Sequence, residues 1–415
     1  MEPIVLYNIR KYHEEYISFT LDVEAKAKGI ADNEKNIIQN MIVSKMKMKS
    51  NFKKFDRNIP LAINIKTHTC SKETVKIEDW VKNLLDLLHK ELYKGDVDYN
   101  YLPFVDDDQI KYLNVEYFYY PDEDFISSTS TSINIIPYNS FLKDIIFLNK
   151  NDENLKIEEY TEQNFSFQEM KELQQLAEKK EPGYYLDKDG NKSISKSSFN
   201  NTFYKFYRTG YQAEVLSNEI LNYDFFKFFS SKKLLRTFLN IQKCIKLPGV
   251  PLNITKNKEI KAAYKQEIFN IATSYKEKYS YIFDKLSQPL KLIVLYQPNY
   301  EQKHLKDIDN IVRTYIIQTM ASIFQPPATL SRIKELEKEK GKPLKISLAS
   351  SLNNQFIGYE FLLLPKDYSN KNGSVYIFLT KQNVLEQGIL LNNKRKIEKI
   401  FEENKIPFHE GFSLK

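Results

Sequence analysis

An internal repeat constrains this 415-residue chain more than any other feature. Near its start, YISFTLDVEAKAKGI (16–30) reads as a strand and turn, and it leads into a basic helical segment that runs to about Lys54. IPLAINIKTH (59–68) alternates like a strand. KIEDWVKNLLDLLHKEL (76–92) sets Trp80, Leu84, Leu87 and Leu88 on one helical face. VDDDQIKYLNVEYFYYP (105–121) opens a strand from an acidic turn, and SINIIPY (132–138) adds another strand. The second half keeps this order: FLNIQKCIKLPGVPL (238–252), a basic helix over 256–279, QPLKLIVLYQP (288–298), LKDIDNIVRTYIIQTMASIF (305–324), SLNNQFIGYEFLLLP (351–365) and GSVYIFLT (373–380). The second copy also carries an insertion, RIKELEKEKGK (332–342).

A strand–helix–strand–strand unit used twice predicts an α+β fold made of two small α/β domains in tandem, a pseudo-dimer within one chain. The first copy is placed at 1–150 and the second at 236–381. Residues 151–235 match neither copy and are expected to form an inserted helix and a β-hairpin, the latter at GYYLDKDGNKSIS (183–195) with its Asp-Gly turn. Asp187, Asp189 and Asn191 imitate the start of a calcium loop. Lys192 and Ser198 stand where that loop requires Gly and Glu, so calcium is not expected. The tail, 382–415, is expected to form a charged helix that packs on the second copy.

Composition narrows the class. Apolar residues are 42% of the chain and aromatics 13%, enough for packed cores rather than a disordered chain. Glycine is scarce, and no Gly-rich phosphate cradle is present. The net charge of +7 permits a polyanionic partner without requiring one. Two distant cysteines, Cys70 and Cys244, rule out a disulfide framework and a Cys-based zinc site, and they fit a reducing, cytoplasmic setting. The N-terminus lacks the apolar core of a signal peptide, and no apolar run approaches membrane-spanning length.

The sharpest local motif is Asp307-Ile308-Asp309-Asn310-Ile311-Val312-Arg313, at a strand-to-helix junction. Two carboxylates spaced in this way can hold Mg²⁺ through hard oxygen ligands, with Arg313 reaching the same phosphate one turn later. The counterpart motif in the first half is Asp107-Asp108-Gln109-Ile110, directly before a strand. Taken alone, either is also ordinary chemistry, a helix cap or an acidic turn. Within the repeated frame, the chain resembles the RusA-type Holliday-junction resolvases, whose signature is D-x-D-N-x-x-K followed downstream by D-D-x-Q-I.

The resemblance implies a small α/β domain that dimerises on four-way DNA junctions, acidic ligands for magnesium, and a lysine that assists phosphodiester cleavage. In the second copy Asp307, Asp309 and Asn310 match the first motif, Arg313 stands at the lysine position, and Asn353-Asn354-Gln355 replace the second motif. In the first copy Asp107, Asp108, Gln109 and Ile110 match the second motif and Lys82 stands at the lysine position, while Lys76, Glu78 and Asp79 occupy the first. Each copy has therefore lost a different part. Three outcomes follow: a composite site drawing Asp307 and Asp309 from one copy and Asp107 or Asp108 from the other; a weakened site within the first copy built from Glu78, Asp107, Asp108 and Lys82; or a pseudonuclease.

The expected function is binding of branched or structured DNA with Mg²⁺-dependent endonuclease activity, in which Lys82 and Arg313 stabilise charge on the phosphate. The alternative is a catalytically degenerate scaffold or adaptor with protein partners in a nucleic-acid or phage-defence complex. His13, His68, His89, His304 and His409 show no close metal spacing. Basic, aromatic-bearing stretches at 45–57, 203–208 and 227–236 are candidate phosphate contacts.

Overall fold

Strands form where the sequence alternates, or runs continuously apolar, between turn residues; in the computed structural model eight of them join into one mixed sheet. The structure describes residues 4–23, 30–48, 54–69, 77–92, 97–119, 129–151, 244–252, 254, 256–278, 290–301, 308–324, 356–364, 366, 370–381 and 388–407. The expected insertion at 151–235, its hairpin, and two of the three basic stretches (203–208 and 227–236) lie outside these residues.

The first half contains α1 (Ile4–Tyr12), β1 (Ile17–Leu21), α2 (Asp32–Lys47), β2 (Leu61–Thr69), α3 (Ile77–His89), β3 (Ile110–Tyr119), β4 (Ser130–Pro137) and α4 (Tyr138–Asn151). The second contains β5 (Ile245–Pro248), α5 (Lys258–Lys278), β6 (Leu290–Gln297), a helix α6 described below, β7 (Phe356–Leu363), β8 (Ser374–Lys381) and α7 (Gly388–Glu403). Helix α6 begins as Ile308–Ile311, widens into a π-helical stretch at Val312–Ile317 and ends as Gln318–Ile323.

Strand order is β1-β4-β2-β3-β7-β6-β8-β5. The two halves pair their strands identically. β2 runs parallel to β3 and antiparallel to β4, as β6 does to β7 and β8. Even the register slips correspond, at Leu61/Ala62 and at Leu290/Lys291. The halves meet where β3 lies antiparallel to β7, with Asn114 opposite Glu360. A local two-fold axis through that pair relates one half to the other.

The sheet is covered on both faces. On one, Ile63, Ile65, Leu113, Val115, Val294 and Phe361 pack against apolar stripes of α2, α3, α5 and α6. On the other, Ala62, Tyr112, Ile293 and Leu362 meet α4 and the start of α7. This second face also encloses a charged group at the seam: Lys291, 1% exposed, reaches Glu116 at 2.8 Å and Glu360 at 3.3 Å. Glu360 also accepts from the Ile389 N–H, capping the start of α7.

The C-terminal helix corrects one expectation. It was expected on the second copy, but α7 crosses the seam and packs on α4, β2 and β3 of the first half. Its far end joins α1 through a cluster of Tyr7, Phe147, Leu148, Ile397 and Phe401. The reason lies in the sheet: Glu360 and Tyr112 offer acceptors to the Ile389 and Leu390 N–H groups right at the seam, and the helix must start there.

Candidate functional site

Antiparallel pairing of β3 with β7 decides which motifs can meet. The start of β3 lies at the same end of the sheet as the end of β7, and therefore near the start of α6, which follows β6. The first turn of α6 packs on β3 and on the Asp107–Gln109 turn. The structure thus brings Asp309 of the second half to the segment bearing Asp107 and Asp108 of the first. At the other end of the seam, α3 packs against β7.

The Asp107–Gln109 turn is a single 3₁₀ turn held from several directions. Asp106 caps it by accepting from the Asp108 N–H, and pairs with Arg57 at 3.1 Å. Gln109 is buried. Its Oε1 accepts from the Val105 and Asp106 N–H groups, and its Nε2 donates to the carbonyls of Asp56 and Ile59. Partial burial raises the cost of ionising Asp106. The Asp108 N–H, a hydrogen bond with Asp107 and the Arg57 guanidinium outweigh it, holding its carboxyl below the usual range. Burial lowers the Lys111 ammonium against the opposing pull of Asp108.

Asp309 is 3% exposed. Its Oδ2 lies 3.5 Å from Arg313 Nε, and its Oδ1 accepts from the Tyr359 hydroxyl at 3.5 Å. Asn310 turns inward to accept from Arg313 and Thr314. Asp309, Asp107 and Asp108 offer oxygen atoms only, the donor chemistry that Mg²⁺ takes. The donor chemistry suits such an ion, but the Asp107, Asp108 and Asp309 carboxylates do not gather within 4.8 Å of one another, so the side chains must close in and Asp309 must exchange its guanidinium partner for the cation.

The other site residues fall elsewhere. Glu78 lies in the first turn of α3, and Lys82 is exposed one turn further on. Helix α3 meets the Asp107–Gln109 turn at its opposite end, through Asp86 and His89. Eight residues separate Glu78 from Asp86, about 12 Å of helix axis. A single-copy site of Glu78, Lys82, Asp107 and Asp108 is therefore corrected: one copy's two motifs sit at opposite ends of its crossover helix. Asp307, Lys76 and Asn353-Asn354-Gln355 lie outside the described residues.

No family model, curated protein or solved structure matches this chain. Its own geometry must supply the functional reading.

That geometry includes a group that sequence spacing was read as lacking. Ligand-type atoms of Asp86, His89 and Asp107 lie within 4.8 Å of one another. Asp86 and His89 are three residues apart on α3, which places both on one face. This spacing is visible in the sequence, but the third member, Asp107, arrives only through the fold. The remaining titratable candidates have structural settings. Cys244 is buried, and burial pushes its thiol up to about 12. His68 stacks on Phe118. Lys47, in the one basic stretch partly described, sits over the Tyr101 ring and near Asp98. No described helix is long and apolar enough to cross a membrane.

Proposed function

We propose that the chain binds branched or structured DNA and cuts it in a Mg²⁺-dependent reaction at one composite site, at the end of the seam where α6 meets the Asp107–Gln109 turn. The supporting observation is that α6 of one half packs on the carboxylate-bearing turn of the other. Taken apart, each copy of the resolvase-like pattern is damaged. Taken across the two-fold axis, Asp309 lies at the same end of the seam as Asp107 and Asp108, and the losses belong to the opposite end, where α3 carries Glu78 and Lys82 and the sequence before β7 reads Asn353-Asn354.

Mg²⁺ bound by Asp107 and Asp108 with Asp307 and Asp309 would supply an activated water for phosphodiester hydrolysis. The chain does the positioning. Gln109 fixes the turn that carries two of the acids, and Arg313, released from Asp309, offers a guanidinium to the phosphate. One competent end in place of two implies that the protein nicks a single strand of a junction rather than making paired cuts.

A second reading, a scaffold that binds nucleic acid without cutting it, is favoured by the buried Arg313–Asp309 pair, which occupies a would-be ligand. A strand-labelled four-way junction with Mg²⁺ separates the two. The nuclease reading expects one nicked strand, with Asp107→Asn and Asp309→Asn each slowing cleavage about 100-fold, or ~3 kcal/mol of barrier. Salt-dependent binding with no nicking by the wild type favours the scaffold. Absence of junction binding even at low salt eliminates both.

A further inference from the structure

We propose that Asp86, His89 and Asp107 form a binding site for a first-row divalent metal, Mn²⁺ or Zn²⁺. The site shares Asp107 with the nuclease end but stands whether or not the chain cuts DNA. Three features of the geometry carry it.

First, the three ligand atoms are already close, within 4.8 Å of one another. An ion central to a triangle of that side sits about 2.8 Å from each corner, and small side-chain rotations close this to metal–ligand distances of ~2.0–2.2 Å. Second, the imidazole is set for ligation. His89 is 6% exposed, its ring stacks on Phe104 at 5.3 Å, and its Nδ1 donates to the Leu85 carbonyl at 2.7 Å. That bond fixes the tautomer and leaves the Nε2 lone pair available as the ligand atom, the usual outer arrangement of a metal-bound histidine. Third, both platforms are rigid. Asp86 and His89 share a helical face at i, i+3, a spacing used by carboxylate–histidine metal motifs on helices. The end of that helix is secured by Gln39, which donates to the carbonyls of Leu87 and Lys90, and the turn carrying Asp107 is held by Gln109.

The donor set selects the metal. One imidazole with two carboxylates suits Mn²⁺ or Zn²⁺ better than Mg²⁺ or Ca²⁺, which take oxygen. Three protein ligands leave a position for water or a phosphate oxygen. Lys90, paired with Asp86 on the surface, is displaced when the ion binds.

Mn²⁺ titration of the full-length protein, followed by electron paramagnetic resonance and by the ¹⁴N modulation of the bound ion, tests the site. One tight Mn²⁺ per chain with imidazole nitrogen coupling is expected, resisting an equimolar amount of Mg²⁺. His89→Gln should abolish the nitrogen coupling. Asp86→Asn keeps the volume of a side chain that is 22% exposed, and should weaken binding by at least the ~10–100-fold that even outer-shell partners are worth. Circular dichroism of each metal-free variant identifies any that fails to fold; if His89→Gln does, Asp86→Asn carries the test. The site is refuted if bound Mn²⁺ shows no nitrogen coupling, or if the folded variants bind it as the wild type does.

Discussion

The setting of Asp309 reverses the role its sequence suggests. By spacing, Asp309 and Arg313 read as two groups facing a phosphate. In the fold they face each other, 3.5 Å apart and both buried, with the Tyr359 hydroxyl on the carboxylate's other side. Sequence could place them one helical turn apart but could not show that β7 closes over them, because burial is set by a strand some fifty residues away. Arg313→Ala should therefore destabilise the protein by ~3–5 kcal/mol, the cost of leaving a buried charge alone. The double change Asp309→Asn/Arg313→Met should recover much of that loss. Urea unfolding of the three proteins checks it, and an Arg313→Ala chain as stable as wild type would show the pair to be solvent-relaxed. His68 makes a gentler case. Burial first, and then the Lys66 ammonium, lower its imidazole below the usual 6.5. Its neutral form is thus favoured by folding, and the stability it contributes is present above pH 6.5 and lost as pH falls through the lowered value. Histidine proton NMR should find this ring titrating low, and Lys66→Gln should move it upward.

At the scale of elements, periodicity carried most of the information. β3, β6 and β7 fall within stretches read as strands, and β2, β4 and β8 overrun theirs by one or two residues, because alternation and apolar runs are local signals. What escaped was tertiary. The π-helical stretch in α6 is not a pattern in the letters. Helix α1 is short and weakly patterned, and its packing depends on α4 and α7. Lys291 is the one charged residue in LKLIVLYQ, and it is buried between Glu116 of β3 and Glu360 of β7. Those two strands come from different halves, so no local window could reveal the triad. Burial disfavours every charge in it, yet the two carboxylates together hold the Lys291 ammonium above its usual value, so the cation is retained. Lys291→Met should leave two carboxylates buried together and cost ~3–5 kcal/mol, whereas adding Glu116→Gln and Glu360→Gln to it should restore part of the loss. Thermal melting of the single and triple variants measures both. If the single variant melts with the wild type, water reaches the seam and the triad is not a structural unit.

The whole molecule behaves as one sheet, and this makes its halves thermodynamically inseparable. Tandem domains joined by a linker would unfold independently. Here β3 and β7 are hydrogen-bonded neighbours, the Lys291 triad spans the seam, and α7 leaves the second half to pack on the first. The seam has a point where this can be tested. Gly358 of β7 lies opposite Glu116, and a Cβ placed there would come within 2.4 Å of the Val115 carbonyl oxygen. The obstacle is backbone, which cannot swing away as a side chain can, so Gly358→Val must push the two strands apart, at ~1–3 kcal/mol or more. The chain's one tryptophan, Trp80, lies in α3 of the first half, buried near Tyr117. It therefore reports on the half that does not carry the substitution. A single cooperative transition is expected, with Trp80 fluorescence and far-ultraviolet circular dichroism coincident in both wild type and Gly358→Val, and with the fluorescence midpoint shifted to lower urea in the variant. A tryptophan transition that stays where it was while the circular dichroism splits into two steps would mean that the first half stands alone. The composite end of the seam, which needs both halves held in register, would then lose its foundation.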